Sequence, residues 1–262
     1  MKLRFLGTGT SFGIPVIGCG CQVCTSTDPR DRRGRHGALI QAADGRNLLV
    51  DTPPELRLQL IQAGVTTIDG VFFTHTHADH THGIDDLRVF SARRRRPLGA
   101  WADEVNAARL RSTFPYIFDP GYRPPEGTTK PEIDLRSFTP GQPLDVAGFS
   151  LTPFAVPHGD ITAFGFRVGD LGYVTDAKLL PPEAKAILQG VRVLVINALW
   201  RSNPHPTHFN VEEAVEAVRE IGPERAYLTH MTHRVQHAAL AADLPAGIEP
   251  AYDSLTVDID DS

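Results

Sequence analysis

His75-Thr76-His77-Ala78-Asp79-His80 places three imidazoles and a carboxylate within six residues, directly after the apolar run Gly70-Val71-Phe72-Phe73. A β-forming apolar run that ends in such a cluster reads as a strand delivering ligands to a loop at a sheet edge. Imidazole and carboxylate together suit zinc, manganese or iron. His75 and His77 sit two apart, so in extended backbone they point the same way, while Asp79 and His80 can turn toward a second ion. Four ligands this close do not all fit one ion that keeps an open position, so the spacing itself suggests two metals. A solvated loop that happens to hold three histidines is the plain alternative, but such density serves no packing purpose.

Further ligands can be sought among the 11 histidines and the acids. His158 follows the run Leu151-Thr152-Pro153-Phe154-Ala155-Val156-Pro157, Asp176 follows Gly172-Tyr173-Val174-Thr175, and His230 follows Arg225-Ala226-Tyr227-Leu228-Thr229. Each is a ligand-type residue at the C-terminal end of an expected strand, where sites on sheets are commonly built. Any one of them alone would be an ordinary surface residue.

Taken in order and at these intervals, His75-x-His77-x-Asp79-His80, His158, Asp176 and His230 resemble the metallo-β-lactamase fold superfamily. The resemblance runs from Leu3 to about Asp253 and implies an α/β, four-layer αββα sandwich. It implies that His75, His77 and His158 hold one divalent ion, that Asp79, His80 and His230 hold another, and that Asp176 bridges them. Asp51, at the end of Asn47-Leu48-Leu49-Val50-Asp51, matches a residue that orients the site in that superfamily. The motif specifies the fold rather than the substrate, since lactonases, glyoxalases, nucleases and phosphodiesterases share it.

All three cysteines lie in Gly18-Cys19-Gly20-Cys21-Gln22-Val23-Cys24. C-x-C-x-x-C is thiolate-metal spacing, and zinc favours sulfur in closed tetrahedral sites. An odd count and the lack of a secretory signal argue against disulfides; unpaired buried thiols are the remaining plain reading. The subfamily resembling the phosphonate-pathway phosphodiesterase, which acts on a phosphoribosyl cyclic phosphate, closes such a site with the second histidine of a T-H-x-x-H. That implies a structural zinc on Cys19, Cys21, Cys24 and His233, with His237 the rival fourth ligand.

At 262 residues, 41% hydrophobic and 22% charged, the chain suits one α/β domain over residues 1–262. No apolar stretch approaches the length of a membrane span. Met1-Lys2-Leu3-Arg4-Phe5-Leu6 starts a strand rather than a signal, so a cytoplasmic protein is expected. A net charge of -5 offers no general attraction for nucleic acid. Gly7-Thr8-Gly9-Thr10-Ser11-Phe12-Gly13 lacks the lysine of a P-loop and is expected to bring backbone close to the metals. Strands are expected near 37–42, 47–51, 150–156, 163–168, 172–175 and 193–197, and helices near 54–63 and 211–221, the latter capped by Asn210. The Pro- and Gly-rich stretch 119–142 reads as a loop or lid. Arg93-Arg94-Arg95-Arg96 reads as a solvated helix end before Pro97 that could also attract a phosphate-bearing substrate.

His208, in the loop before the second helix, matches a region that lies by the active site in the resembled subfamily. There it would bind a phosphoryl oxygen or protonate a leaving alkoxide, the plain alternative being a surface histidine. The expected function is hydrolysis of a small phosphodiester, cyclic or linear, by a hydroxide generated on two Mn or Zn ions. Five neutral histidines, two aspartates, two divalent ions and a bridging hydroxide sum to about +1, matched to a monoanionic diester. No protein partner is evident, and the family suggests a homodimer. Other readings are a tRNA 3′-processing nuclease, for which no long basic insertion is seen, and a lactonase or glyoxalase, which would not need the cysteines. A cofactor-biosynthesis protein of the pyrroloquinoline quinone type would depart from the histidine motif. A metal-dependent binding protein without turnover is the last.

Overall fold

The computed structural model describes residues 1–260. Two seven-stranded sheets carry the chain. The first is built from β1 (Lys2–Gly7), β2 (Gly37–Gln41), β3 (Asn47–Val50), β4 (Gly70–Phe72), β5 (Leu98–Asp103) and β6 (Ile133–Phe138). The second is built from β7 (Leu144–Val146), β8 (Phe149–His158), β9 (Ile161–Val168), β10 (Leu171–Tyr173), β11 (Val193–Asn197), β12 (Arg225–Thr229) and β13 (Ile248–Pro250). The last strand, β14 (Thr256–Asp258), returns to the first sheet beside β1. Each sheet is antiparallel on one side and parallel on the other: β3 to β6 run parallel, as do β10 to β13.

Strand alternation explains the layers. Leu48, Val50 and Phe72 join the apolar layer between the sheets, where Phe149, Phe166, Tyr173 and Val195 meet them from the other side. Their neighbours Leu49, Val71 and Phe73 face outward into a second cluster. The helices α1 (Leu56–Gln62), α2 (Ala78–Thr81), α3 (Arg88–Arg94), α4 (Glu104–Thr113) and α5 (Pro115–Phe118) follow strands of the first sheet, and Leu56, Leu60, Phe90 and Leu110 complete that outer cluster. The helices α6 (Pro182–Leu188), α7 (Val211–Ile221) and α8 (His237–Asp243) cover the second sheet, with Leu188, Val215, Val218 and Leu240 packed on Leu194, Ile196 and Leu228. The result is the expected αββα sandwich, whose central parallel strands are apolar on both faces because both faces are covered.

Helix α7 starts as expected: the Asn210 side chain accepts from Glu213 N–H, and Glu213 reaches back to the Asn210 N–H, a capping box. The expected loop over 119–142 is shorter than its composition suggested. Ile133–Phe138 pairs in parallel with β5 as an edge strand, and only residues 119–132 connect it to α5. This strand is charged at Asp134 and Arg136 and exposed on one side, so it lacks the apolar density that marks the central strands. Among the described residues no helix is long and apolar enough to cross a membrane.

Candidate metal centre

The ligand-type residues collect where strands end. Asp51 follows β3, His75 lies just beyond β4, His158 closes β8, Asp176 lies beyond β10 and His230 follows β12. Three of them, Asp51 (φ 62°), Asp176 (φ 57°) and His230 (φ 57°), adopt left-handed backbone. Non-glycine residues there are strained, and such strain is characteristic of functional sites. The chain turns abruptly as each strand ends, and the side chains converge.

Two donor groups result. His75, His77, His158 and Asp176 bring one ligand atom each to within 4.8 Å of one another, as do Asp79, His80 and His230. His77 Nδ1 lies 3.1 Å from both His75 Nε2 and His158 Nε2. Nitrogen ligands ~2.0–2.1 Å from a tetrahedral ion stand ~3.3 Å apart, so this spacing fits one. The Asp176 carboxylate serves both groups: Oδ2 lies 3.5 Å from His75 Nε2 and 3.2 Å from His80 Nε2, and Oδ1 lies 3.3 Å from His230 Nδ1. His80 Nε2, His230 Nδ1 and His208 Nε2 are buried without a hydrogen-bond partner. Orphaned buried nitrogens aimed at one carboxylate are what a metal centre needs and what a packed core avoids.

The outer nitrogens explain which atoms face inward. Thr74 donates its N–H and hydroxyl to Asp51 (2.8 and 2.7 Å), and its oxygen lies 3.0 Å from His75 Nδ1. Asp51 also faces His80 Nδ1 at 2.7 Å. The Thr207 carbonyl takes His158 Nδ1 at 3.1 Å. Each contact engages Nδ1 and leaves Nε2 as the free donor atom, as in carboxylate–histidine–metal arrangements. Asp51 therefore orients His80 directly and His75 through Thr74. Thr74 and the Thr207 carbonyl were invisible in the sequence reading, because a threonine beside a histidine and a backbone oxygen carry no signature.

Burial lowers the pKa of His75, His77 and His158, and brings His230 down to about 4, so these rings are neutral, the form that binds metal. His80 is the exception. Burial opposes its charge, yet Asp176, Asp79 and Asp51 hold its pKa well above the ordinary value. Burial likewise opposes ionisation of Asp176, but His230, His80 and His208 keep it a carboxylate well below the usual range. The pocket thus calls for positive charge, supplied without metal by a proton on His80 and better supplied by divalent ions.

A second cluster joins Cys19, Cys21, Cys24 and His233. His233 Nδ1 lies 3.3, 3.5 and 3.6 Å from the three sulfurs, against ~3.5 Å between sulfur and nitrogen ligands of tetrahedral zinc. Hydrogen bonds bring the Cys21 thiol down to about 6, chiefly one from the Cys24 N–H, which favours a thiolate ligand. His237 is not in this cluster: its N–H donates to Asp31, and its ring meets Tyr252 edge-on. His208 stands beside Asp176 and His230, with Nε2 3.5 Å from Asp176 Oδ2 and Nδ1 2.8 Å from the Thr207 hydroxyl. His82 packs on Phe114 and His205 on Trp200, outside both donor groups. His36 is wholly buried between Tyr173 and Thr229, its ring 5.7 Å from those of His80 and His230. The glycine loop does approach the site: Gly9 bridges to Met231, and Thr8 accepts from the Met231 N–H, next to His230.

A family model for the β-lactamase superfamily domain matches residues 46–231. The chain belongs to that superfamily. A solved structure of a diphosphatase from the PhnP family superposes with a TM-score of 0.89 at 33% identity, covering 99% of this chain and 98% of that one. The chain thus has a metallo-β-lactamase fold of the PhnP-like kind. An octanoyltransferase of Porphyromonas gingivalis is 34% identical over 265 residues, covering 100% of this chain and 52% of that protein. A ribonuclease Z of a Bradyrhizobium strain is 32% identical over 192 residues, 71% of this chain and 54% of that one. The chain spans about half the length of these curated relatives.

Proposed function

We propose that this β-lactamase superfamily member is a two-metal phosphodiesterase acting on a small phosphodiester. The observation that carries the reading is the single Asp176 carboxylate lying within 3.2–3.5 Å of ligand nitrogens from both donor groups. His75, His77 and His158 would hold one divalent ion, and Asp79, His80 and His230 the other, with Asp176 between them. When bound, two such ions supply Lewis acidity and an activated water for in-line displacement at phosphorus. The chain's residues do the rest. Asp51 and Thr74 fix the rings of His80 and His75, and the donors are buried except His77, which is exposed at the site's mouth. His208 projects an unpartnered Nε2 beside Asp176, where it can bind a phosphoryl oxygen or give a proton to the departing alkoxide. Cys19, Cys21, Cys24 and His233 would hold a structural zinc.

The PhnP-family neighbour, named a diphosphatase, favours one variant of this reading: attack at the phosphorus of a diphosphate, with phosphate rather than alkoxide leaving. A tRNA-processing role has less support. The chain's charge is -5, and in the arginine run Arg94 is tied to Asp69 and to the Ile68 carbonyl. The test is turnover by the metal-loaded protein of cyclic diesters, linear diesters and diphosphate diesters in parallel. Cleavage of a lactone or thioester with none of the phosphorus substrates would reject the reading.

A further inference from the structure

Against the segment that follows His230 lies an apolar cavity of about 260 Å³, bordered by His233 of the thiol cluster and used by no catalytic step of the proposed mechanism. Its walls include Phe12 from the glycine loop, Ile14 and Val16 just after it, Trp200, and His233 and Arg234. These walls continue the ligand-bearing segments. Thr232 and Arg234 lie two and four residues after His230, and the Thr232 N–H donates to the Leu199 carbonyl. The Trp200 ring meets His205 at 5.2 Å, and His205 meets His208 at 5.1 Å, so two ring contacts lead from the cavity to the group beside Asp176.

The chemistry of the walls is specific. The Arg234 guanidinium lies 4.7 Å over the Trp200 ring, whose indole N–H is anchored to the Asn203 carbonyl at 2.7 Å. Phe12 stands 71% exposed on the opposite loop. A single exposed aromatic is ordinary. Here, however, a phenyl ring, an indole and a planar guanidinium border one cavity, which two ring contacts join to His208. Such planar surfaces stack on aromatic rings, and an arginine adds attraction for a phosphate monoanion. Cavities of ~150 Å³ already accept a benzene ring, so this one has room for a planar heterocycle.

From these observations we infer that the cavity is a substrate subsite that stacks a planar aromatic ring, of the nucleobase type, carried on the phosphoryl substrate. The inference rests on the phosphodiesterase reading for its link to turnover, but binding can be tested apart from it. Trp101→Phe leaves Trp200 as the sole tryptophan of two. In that zinc-loaded protein, adenosine monophosphate should quench Trp200 emission saturably, while ribose 5-phosphate should not. Phe12→Ala should weaken the quench about tenfold, the worth of one stacked ring. Equal responses to both probes, or none, would overturn the subsite. Emission that changes with protein concentration alone would put a second copy in the cavity and also overturn it.

Kinetically, thymidine 5′-(p-nitrophenyl phosphate) should be preferred over methyl p-nitrophenyl phosphate. That preference should fall about tenfold in Phe12→Ala and in Arg234→Ala, through KM rather than kcat. Quenching without cleavage of either ester would sink the hydrolytic reading and leave the subsite standing. Cleavage with no preference and no quenching would do the reverse.

Discussion

Replacing His233 with Ala isolates the tether that the proposed structural zinc provides. The three thiols lie within six residues, so they can keep an ion without help, but only His233 links that ion to the far end of the chain. Cys21 and His233 are 212 positions apart. Cross-linking a chain over a loop of that length restricts the unfolded state by ~5 kcal/mol on the chain-entropy treatment. Capture of zinc by other histidines in the unfolded chain reduces this, so about 2–4 kcal/mol is expected. A chain of 262 residues unfolds with an entropy of about 0.55 kcal/mol per kelvin, and the loss converts to a Tm lower by about 4–7 °C. Calorimetry in excess zinc reads the shift, and elemental analysis reads the ion. The expected result is a lowered Tm in His233→Ala with zinc still bound, whereas Cys21→Ser loses the zinc. If His233→Ala melts within about 1 °C of the wild type and Cys21→Ser keeps its zinc, the cluster is not a metal tether.

Other perturbations separate chemistry from folding. Asp79→Asn should nearly abolish diester hydrolysis while leaving the fold intact, because Asp79 sits on a loop-borne helical turn at the sheet edge; most activity retained at full metal occupancy would contradict its role. His208→Ala should lower kcat by ~10²–10⁴ on alkoxide leaving groups and far less on p-nitrophenolate, with metal content unchanged. Equal losses on both would make it a binding group. Asp51→Ala strips His80 and Thr74 of their partner and should weaken metal affinity ~10–100-fold, read by competition with a chelating dye; unchanged affinity would refute the orienting role. His237 is held down to about 4 by burial and by Arg30 and Arg33, against 6.5 when free. Between those values the unfolded chain binds the proton and the folded one does not, so stability falls as pH drops from 6.5 toward 4. His237→Asn should flatten that slope in urea titrations, and an identical slope would show that another group sets it.

The parts of the molecule legible in the sequence are those where local chemistry and long-range structure coincide. Each strand that leads to a ligand-type residue shows an apolar run followed by a histidine or aspartate, so β4, β8, β10 and β12 stood out. Asn210 marked the start of α7 because caps are local. The strand β5, with Gly99 in Leu98-Gly-Ala-Trp-Ala-Asp103, and the polar edge strand β6 were missed because neither shows a clean period. Within the centre, the histidines and acids were readable by type and spacing. Thr74, the Thr207 carbonyl and buried His36 were not, since their roles come from contacts between strands far apart in sequence. The cavity between Phe12 and Trp200 was hidden for the same reason: nearly 190 residues separate its walls along the chain.

The most direct test of the central claim is hydrolysis of bis(p-nitrophenyl) phosphate by protein whose metal content is measured in the same sample. The two donor groups and the thiol cluster together call for about three metals per chain. Wild type in that state should release p-nitrophenolate, lose the activity to a chelator that spares the thiolate-bound ion, and regain it with manganese or zinc. Full occupancy with no hydrolysis of this ester or of any cyclic, linear or diphosphate diester would contradict the account.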